Sequence, residues 1–257
     1  MPFTPAHSAI VLPLLRLRWL SATGLIIGSI APDFEYFFKA SVSSVHSHTW
    51  GGLFYFDLPV VVALAFVFHL VVKKNLINNS PRFLQVRFQD TLHFNFIKYL
   101  KSNWYWFLVS ALIGAASHIF WDSFTHNSGY FVHRLPFYRY SLPWQGVKYP
   151  MFYVLQHVST FVGLAAITVY VMLKQRQQIQ SARITILYWT LVLIVIAAVV
   201  IIRFAVDGWN PHLGNRVVSF ISGLCLALIL TGFINFRNLT FTNRHGQEDA
   251  MGASRKT

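Results

Sequence analysis

Apolar residues fall into five long blocks along this chain, at Gly52–Val72, Trp104–Phe124, Pro150–Leu173, Ile184–Val206 and Val217–Phe236. Each is close to the roughly 20 residues that carry a helix across a bilayer. Helices satisfy their own backbone in lipid, so the pattern predicts an all-α, polytopic transmembrane bundle with five spans. Residues 1–51 are less regular. Two apolar pieces, Ile10–Leu15 and Leu20–Ala31, are divided by Arg16 and Arg18. They predict one or two N-terminal helical segments, either two short helices or a re-entrant hairpin with snorkelling arginines. Pro32 ends the second piece and puts Asp33 and Glu35 just beyond it, followed by SVSSVHSHTWGG with His46 and His48. Residues 73–103 form a basic connection whose Phe and Leu residues suit interfacial amphipathic helices. Residues 127–149 read as a loop rich in aromatics and prolines.

Composition sharpens this picture. Of 257 residues, 55% are hydrophobic and only 11% charged, against about 25% charged in soluble domains. The net charge of +13 lies largely in loops beside the spans. That placement suits anionic lipid headgroups and membrane topology and gives no case for nucleic acid. The connection 73–103 holds six Lys/Arg and one acid, residues 174–183 three bases, and the tail four. These segments are expected in the cytoplasm, and 127–149 and 207–216 on the outer side. Residues 1–236 are read as one integral membrane domain, with the polar motifs in 1–173 and two further spans in 184–236. Residues 237–257 are read as a disordered cytoplasmic tail. The N-terminus lacks a basic n-region and a cleavage site, so it is not read as a cleaved signal peptide. Cys225 is the single cysteine, which excludes an internal disulfide.

The chemistry-bearing residues gather at SHIFWDSFTH, the end of the second block. His118, Asp122 and His126 are spaced one helical turn apart and stay within roughly an 80° arc of one face. Imidazoles and a carboxylate are costly in lipid, so this face should point to protein, water or an ion. His nitrogen and Asp oxygen are ordinary Zn²⁺ ligands. The predicted topology puts Asp33, His48 and His157 at the same end, so the expected metal ligands are His118, Asp122, His126, Asp33 and His48, with His7 and His157 as further candidates. Asp33 or Glu35 would serve as general base, and the expected cofactor is a divalent metal, zinc or else manganese. Such a site at headgroup depth points to hydrolysis of a lipid or amphiphilic phosphoester. Two other classes remain open: a transporter or lipid-handling protein using these residues for substrate or protons, and a structural protein whose His/Asp network fixes helix packing. His69, His93 and His133 are read as core histidines, and Asp57 with Pro59 as a bent helix start. There is no GxxxxGK[ST], GxSxG or HExxH.

MPFTPAH, IGSIAPDFEYF, HTWGGLFYFDLP, SHIFWDSFTH and LQHVSTFVG stand in the order found in the bacterial membrane-protein family called domain of unknown function 4184, which the chain resembles over residues 1–170. The resemblance implies a bacterial inner-membrane protein and no assigned activity. A looser likeness, to YdjM-type membrane-bound metal-dependent hydrolases, lies in an early His, a Pro-Asp after a hydrophobic helix and a later His. The His-x-x-x-Asp run is also similar to zinc-dependent phospholipase C and its related nucleases. That likeness implies His118 and Asp122 as ligands and Asp33 as a bridging carboxylate. Those enzymes are soluble and use an N-terminal Trp, where this chain has Met-Pro.

Overall fold

The structure is a computed structural model that describes residues 3–178, 184–208 and 213–236. A 3₁₀ stretch, Thr4–Arg16, leads to three helices, α1 (Ala22–Gly28), α2 (Phe34–Lys39) and α3 (Leu53–Asn79). A short helix α4 (Arg82–Phe88) and a 3₁₀ turn connect to the long α5 (Phe96–Thr125). The strands β1 (Ser141–Trp144) and β2 (Val147–Pro150) precede α6 (Met151–Leu173), α7 (Ile186–Asp207) and α8 (Leu213–Gly232). Five of these helices, α3 and α5 to α8, are long and apolar enough to cross a membrane. By length and composition the chain is an integral membrane protein with an all-α bundle, as its apolar blocks predict. Phe161, Val169 and Leu173 stand exposed on α6, the face a bilayer covers.

Residues 3–51 form short helices, none long enough to span. They reach the bundle through small residues. Gly24 and Gly28 of α1 lie against α5, where a Cβ on Gly24 would meet the Phe107 carbonyl at 2.7 Å. One on Gly114 would run into the Leu25 carbonyl. Small residues of this kind let helix backbones touch without a hydrophobic driving force. Gly163 of α6 receives Ala6 in the same way, its Cβ position 2.8 Å from the Ala6 carbonyl. The Phe3 N–H also donates to Thr160 Oγ1 of α6 at 3.1 Å.

The connection between α3 and α5 differs in detail from expectation. Helix α3 continues to Asn79, and α5 begins at Phe96, ahead of Trp104. The Asn95 side chain caps it by accepting the Lys98 N–H at 2.9 Å. Non-helical backbone at Asn103 (φ −132°, ψ 21°) separates this polar start from the apolar span. Residues 141–149, read as loop, and Pro150, read as the start of a span, form a β-hairpin. Its turn places Gln145 and Gly146 at φ 49° and 79°, the left-handed conformations of a two-residue hairpin turn. Gln-Gly is a weak signal for that turn, which is why the sequence did not announce it.

Helices α7 and α8 pack together through Tyr188, Val192, Ile196 and Ala227. They join the rest where the Asn75 amide donates to the carbonyls of Thr231 and Ile234, both at 2.9 Å, and where Ser222 Oγ donates to Phe37 O at 2.8 Å. The tail 237–257 lies outside the described residues.

Candidate metal centre

Four separate stretches of chain bring ligand atoms to one place. His118 and Asp122 project from α5. His7 comes from the N-terminal 3₁₀ stretch, Asp33 from the turn Ala31–Asp33 before α2, and His48 from the loop between α2 and α3. His118 Nε2 lies 3.3 Å from Asp122 Oδ2 and 3.6 Å from Asp33 Oδ1. His48 Nε2 is 3.4 Å from Asp33 Oδ1 and 3.6 Å from Asp122 Oδ2. His7 Nε2 is 3.5 Å from Asp122 Oδ1, and its ring stacks on His118 with centroids 3.8 Å apart. His7, His118 and Asp122 form one set, and Asp33, His48 and His118 a second, each with its ligand atoms within 4.8 Å of one another. Either set can hold a metal ion, and His118 belongs to both.

The second nitrogen of His118 fixes its orientation. Its Nδ1 lies 2.8 Å from the Ser29 carbonyl. A carbonyl only accepts, so Nδ1 carries the proton and, in the neutral ring, Nε2 presents its lone pair to the cluster. Ligating histidines are commonly held this way. The close approach of α1 to α5 at Gly28 and Gly114 makes the bond, because Ser29 follows Gly28 directly. Asp33 is turned similarly: Thr4 Oγ1 donates to Oδ2 at 2.5 Å, which leaves Oδ1 toward His48 and His118. Among the described residues, His7 Nε2, His48 Nε2, His118 Nε2 and Asp122 Oδ1 are buried without a hydrogen-bond partner. Buried polar atoms are rarely left so. Three of these residues, His7, His118 and Asp122, make up one of the two sets, and His48 belongs to the other.

Burial is graded across the site. His7, Asp33 and His118 are at most 1% exposed, whereas the His48 and His126 side chains are 18% and 25% exposed. The cluster therefore has a closed floor and an open mouth. Burial pushes the His7 pKa down to about 3, and the neighbouring His118 adds to the shift. A neutral imidazole is the form that binds metal. Burial alone would raise Asp33, but His118 and His48 hold it below the ordinary carboxylate value.

Other expected site residues fall elsewhere. His126 caps α5 with extended backbone (φ −113°, ψ 147°), so it leaves the helical face; its Nδ1 is 3.2 Å from Asp122 Oδ1, at the edge of the cluster. His157 is exposed on α6, its Nδ1 donating to Tyr153 O at 2.8 Å. It is not among the grouped ligand atoms. Glu35 does not face the centre as a base. Its Oε1 accepts Lys39 Nζ at 2.6 Å and the Val45 N–H at 2.8 Å, and its Oε2 accepts the N–H groups of His46 at 3.0 Å and Ser47 at 2.7 Å. Burial disfavours its charge, yet Lys39 and those backbone donors hold its carboxyl below the usual range. Glu35 thus folds the loop that presents His48, a non-glycine residue at φ 60°. His93 and His133 are exposed rather than core residues, and His69 is half-buried with Nε2 3.0 Å from Thr23 Oγ1.

One residue does more than the bent helix start read from the sequence. Asp57, in the π-helical first turn of α3, is fully buried and neither carboxylate oxygen has a partner. An acid in the first turn of an apolar span was the available signal.

A family model described as "Domain of unknown function (DUF4184)" matches residues 1–233. The match extends beyond residue 170 to take in the last two spans. No curated protein and no solved structure matches the chain.

Proposed function

The chain belongs to the DUF4184 family, and for this member we propose a metal-dependent hydrolase of the membrane surface. We read the cluster as a Zn²⁺ or Mn²⁺ centre with His118, Asp122, Asp33, His48 and His7 as ligands, and a lipid or amphiphilic phosphoester as substrate. A single observation carries this reading: unpartnered ligand atoms from distant chain segments form two sets that share His118, which Ser29 orients from behind. Bound zinc lowers the pKa of its water toward ~7 and so supplies hydroxide at neutral pH. The chain's own residues do the rest. Stacking of His7 on His118 and the Thr4 bond to Asp33 fix the ligand geometry, and the open side at His48 and His126 admits substrate. Trp50 and Tyr55 follow His48, and Tyr130, Tyr140 and Trp144 follow α5; all are exposed. Aromatics in such places mark a membrane–water boundary, which supports an amphiphilic substrate. We assign the protein to the bacterial inner membrane.

Metal analysis of detergent-purified protein is the test. The expected result is near-stoichiometric zinc or manganese, lost in Asp122→Ala and His118→Ala, with release of headgroup or phosphate from phospholipid vesicles that stops on chelation. Wild-type unfolding free energy should also fall on chelation, by about 4 kcal/mol if the metal is at 1,000 times its Kd. A folded, metal-free wild type that chelators leave unchanged would end the proposal. Asp57 favours a second reading, proton-coupled transport. There the protein is metal-free, and Asp122→Asn stays folded while abolishing pH-dependent flux.

A further inference from the structure

Helices α3 and α5 run past each other with the His/Asp cluster at one end, through Asp57 on α3 and His118 on α5. Their other ends, Leu70 to Asn78 and Phe96 to Lys101, border a cavity of about 720 Å³. From Lys101 to His118 a helix rises roughly 25 Å, so the two sites are well separated. Lys73, Lys74, Lys98 and Lys101 line the cavity with His69 and His93, and among the described residues no Asp or Glu does. The acid of this connection, Asp90, is taken by Lys174, whose Nζ lies 2.9 Å from both carboxylate oxygens.

The cations are arranged as a floor and a rim. Lys73 is buried, and its amine donates to the carbonyls of Thr91 at 2.9 Å and Phe94 at 3.0 Å. Those bonds fix a positive charge beneath the cavity. Lys74, Lys98 and Lys101 are exposed around it. The first turn of α5 also opens here, adding backbone N–H groups and the positive end of the helix dipole. Two buried atoms in the lining, His69 Nδ1 and Asn78 Oδ1, have no hydrogen-bond partner. Leu70, one turn before Lys74, is 62% exposed in the same wall. A soluble anion has no use for it, whereas an acyl chain descending along α3 would cover it.

We propose that this cavity binds the phosphate of an anionic phospholipid headgroup, with the acyl chains lying along α3. It is a lipid site distinct from the His/Asp cluster and independent of the metal.

The test uses full-length protein in a neutral detergent, with phosphatidylglycerol and phosphatidylcholine of identical chains as probes and inorganic phosphate as competitor. Phosphatidylglycerol should bind at least about tenfold more tightly than phosphatidylcholine. The combined variant Lys74→Gln, Lys98→Gln, Lys101→Gln should lose most of that preference. Neutralising Arg139 and Lys148, at the other end of the bundle, should leave it unchanged. Equal binding of the two lipids overturns the proposal, as does a preference that survives in the triple variant or falls equally in the control. Displacement of phosphatidylglycerol by millimolar phosphate alone also overturns it, in favour of a soluble anion. Should the triple variant not fold, the wild-type preference read at low and high salt decides, since it must shrink as screening rises.

Discussion

Replacing Glu35 by glutamine would leave a side chain of nearly the same shape in the wrong chemical state. Four donors converge on this carboxylate, three of them backbone N–H groups of residues 45–47. The amide can accept at one oxygen only, so at least one buried N–H would face another donor. Glu35→Gln should therefore destabilise by about 1–3 kcal/mol in chemical denaturation and loosen His48 enough to weaken metal retention. The pH dependence has a definite sign. The native carboxyl is held below its unfolded value, so its contribution is complete above the unfolded range near ~4.3 and drains away as pH falls toward the depressed native value. Wild type should lose stability over that acid window, and Glu35→Gln should show a shallower loss. The sequence showed an acid next to a Pro-Asp turn and suggested a base. It could not show that the carboxylate is spent on backbone donors, because those come from a loop whose path the helices around it determine.

Helix α5 sets the geometry of the cluster. Its period put His118 and Asp122 on one face, and that was legible from spacing alone. His126 was expected on the same stripe, but the helix ends at Thr125, and only its contact with Asp122 remains. The orienting bond from His118 to Ser29 depends on two backbones in contact at Gly114 and Gly28. Gly114→Ala would push a methyl group into the Leu25 carbonyl, at a cost of about 1–3 kcal/mol for overpacking. It should lower the melting temperature and deplete bound metal, although it alters no ligand. Gly51→Ala, whose Cβ would meet nothing closer than 3.8 Å, should stay within about 0.5 kcal/mol of wild type. Equal stability of the two variants would show that the α1–α5 contact does not position His118.

The whole molecule is a bundle with two unlike ends: one carries the His/Asp cluster and the hairpin, the other the lysine-lined cavity. If the basic connection is cytoplasmic, as its charge predicts, a membrane-impermeant thiol reagent applied from outside should label Lys148→Cys and not Lys101→Cys, in a background with Cys225→Ser. Labelling of Lys101→Cys alone would invert the topology. The sequence by itself determined that the chain is helical and membrane-embedded and where its five spans lie, because the length and apolarity of a span are local properties that lipid reads directly. It also put His118 and Asp122 on one face, since helical period is local too. Only the tertiary structure decided that His7, Asp33 and His48 join them, that His157 stays outside and that Glu35 serves a loop. Those outcomes depend on how closely helices approach and how the chain turns between them, and contacts between residues far apart in the chain set both.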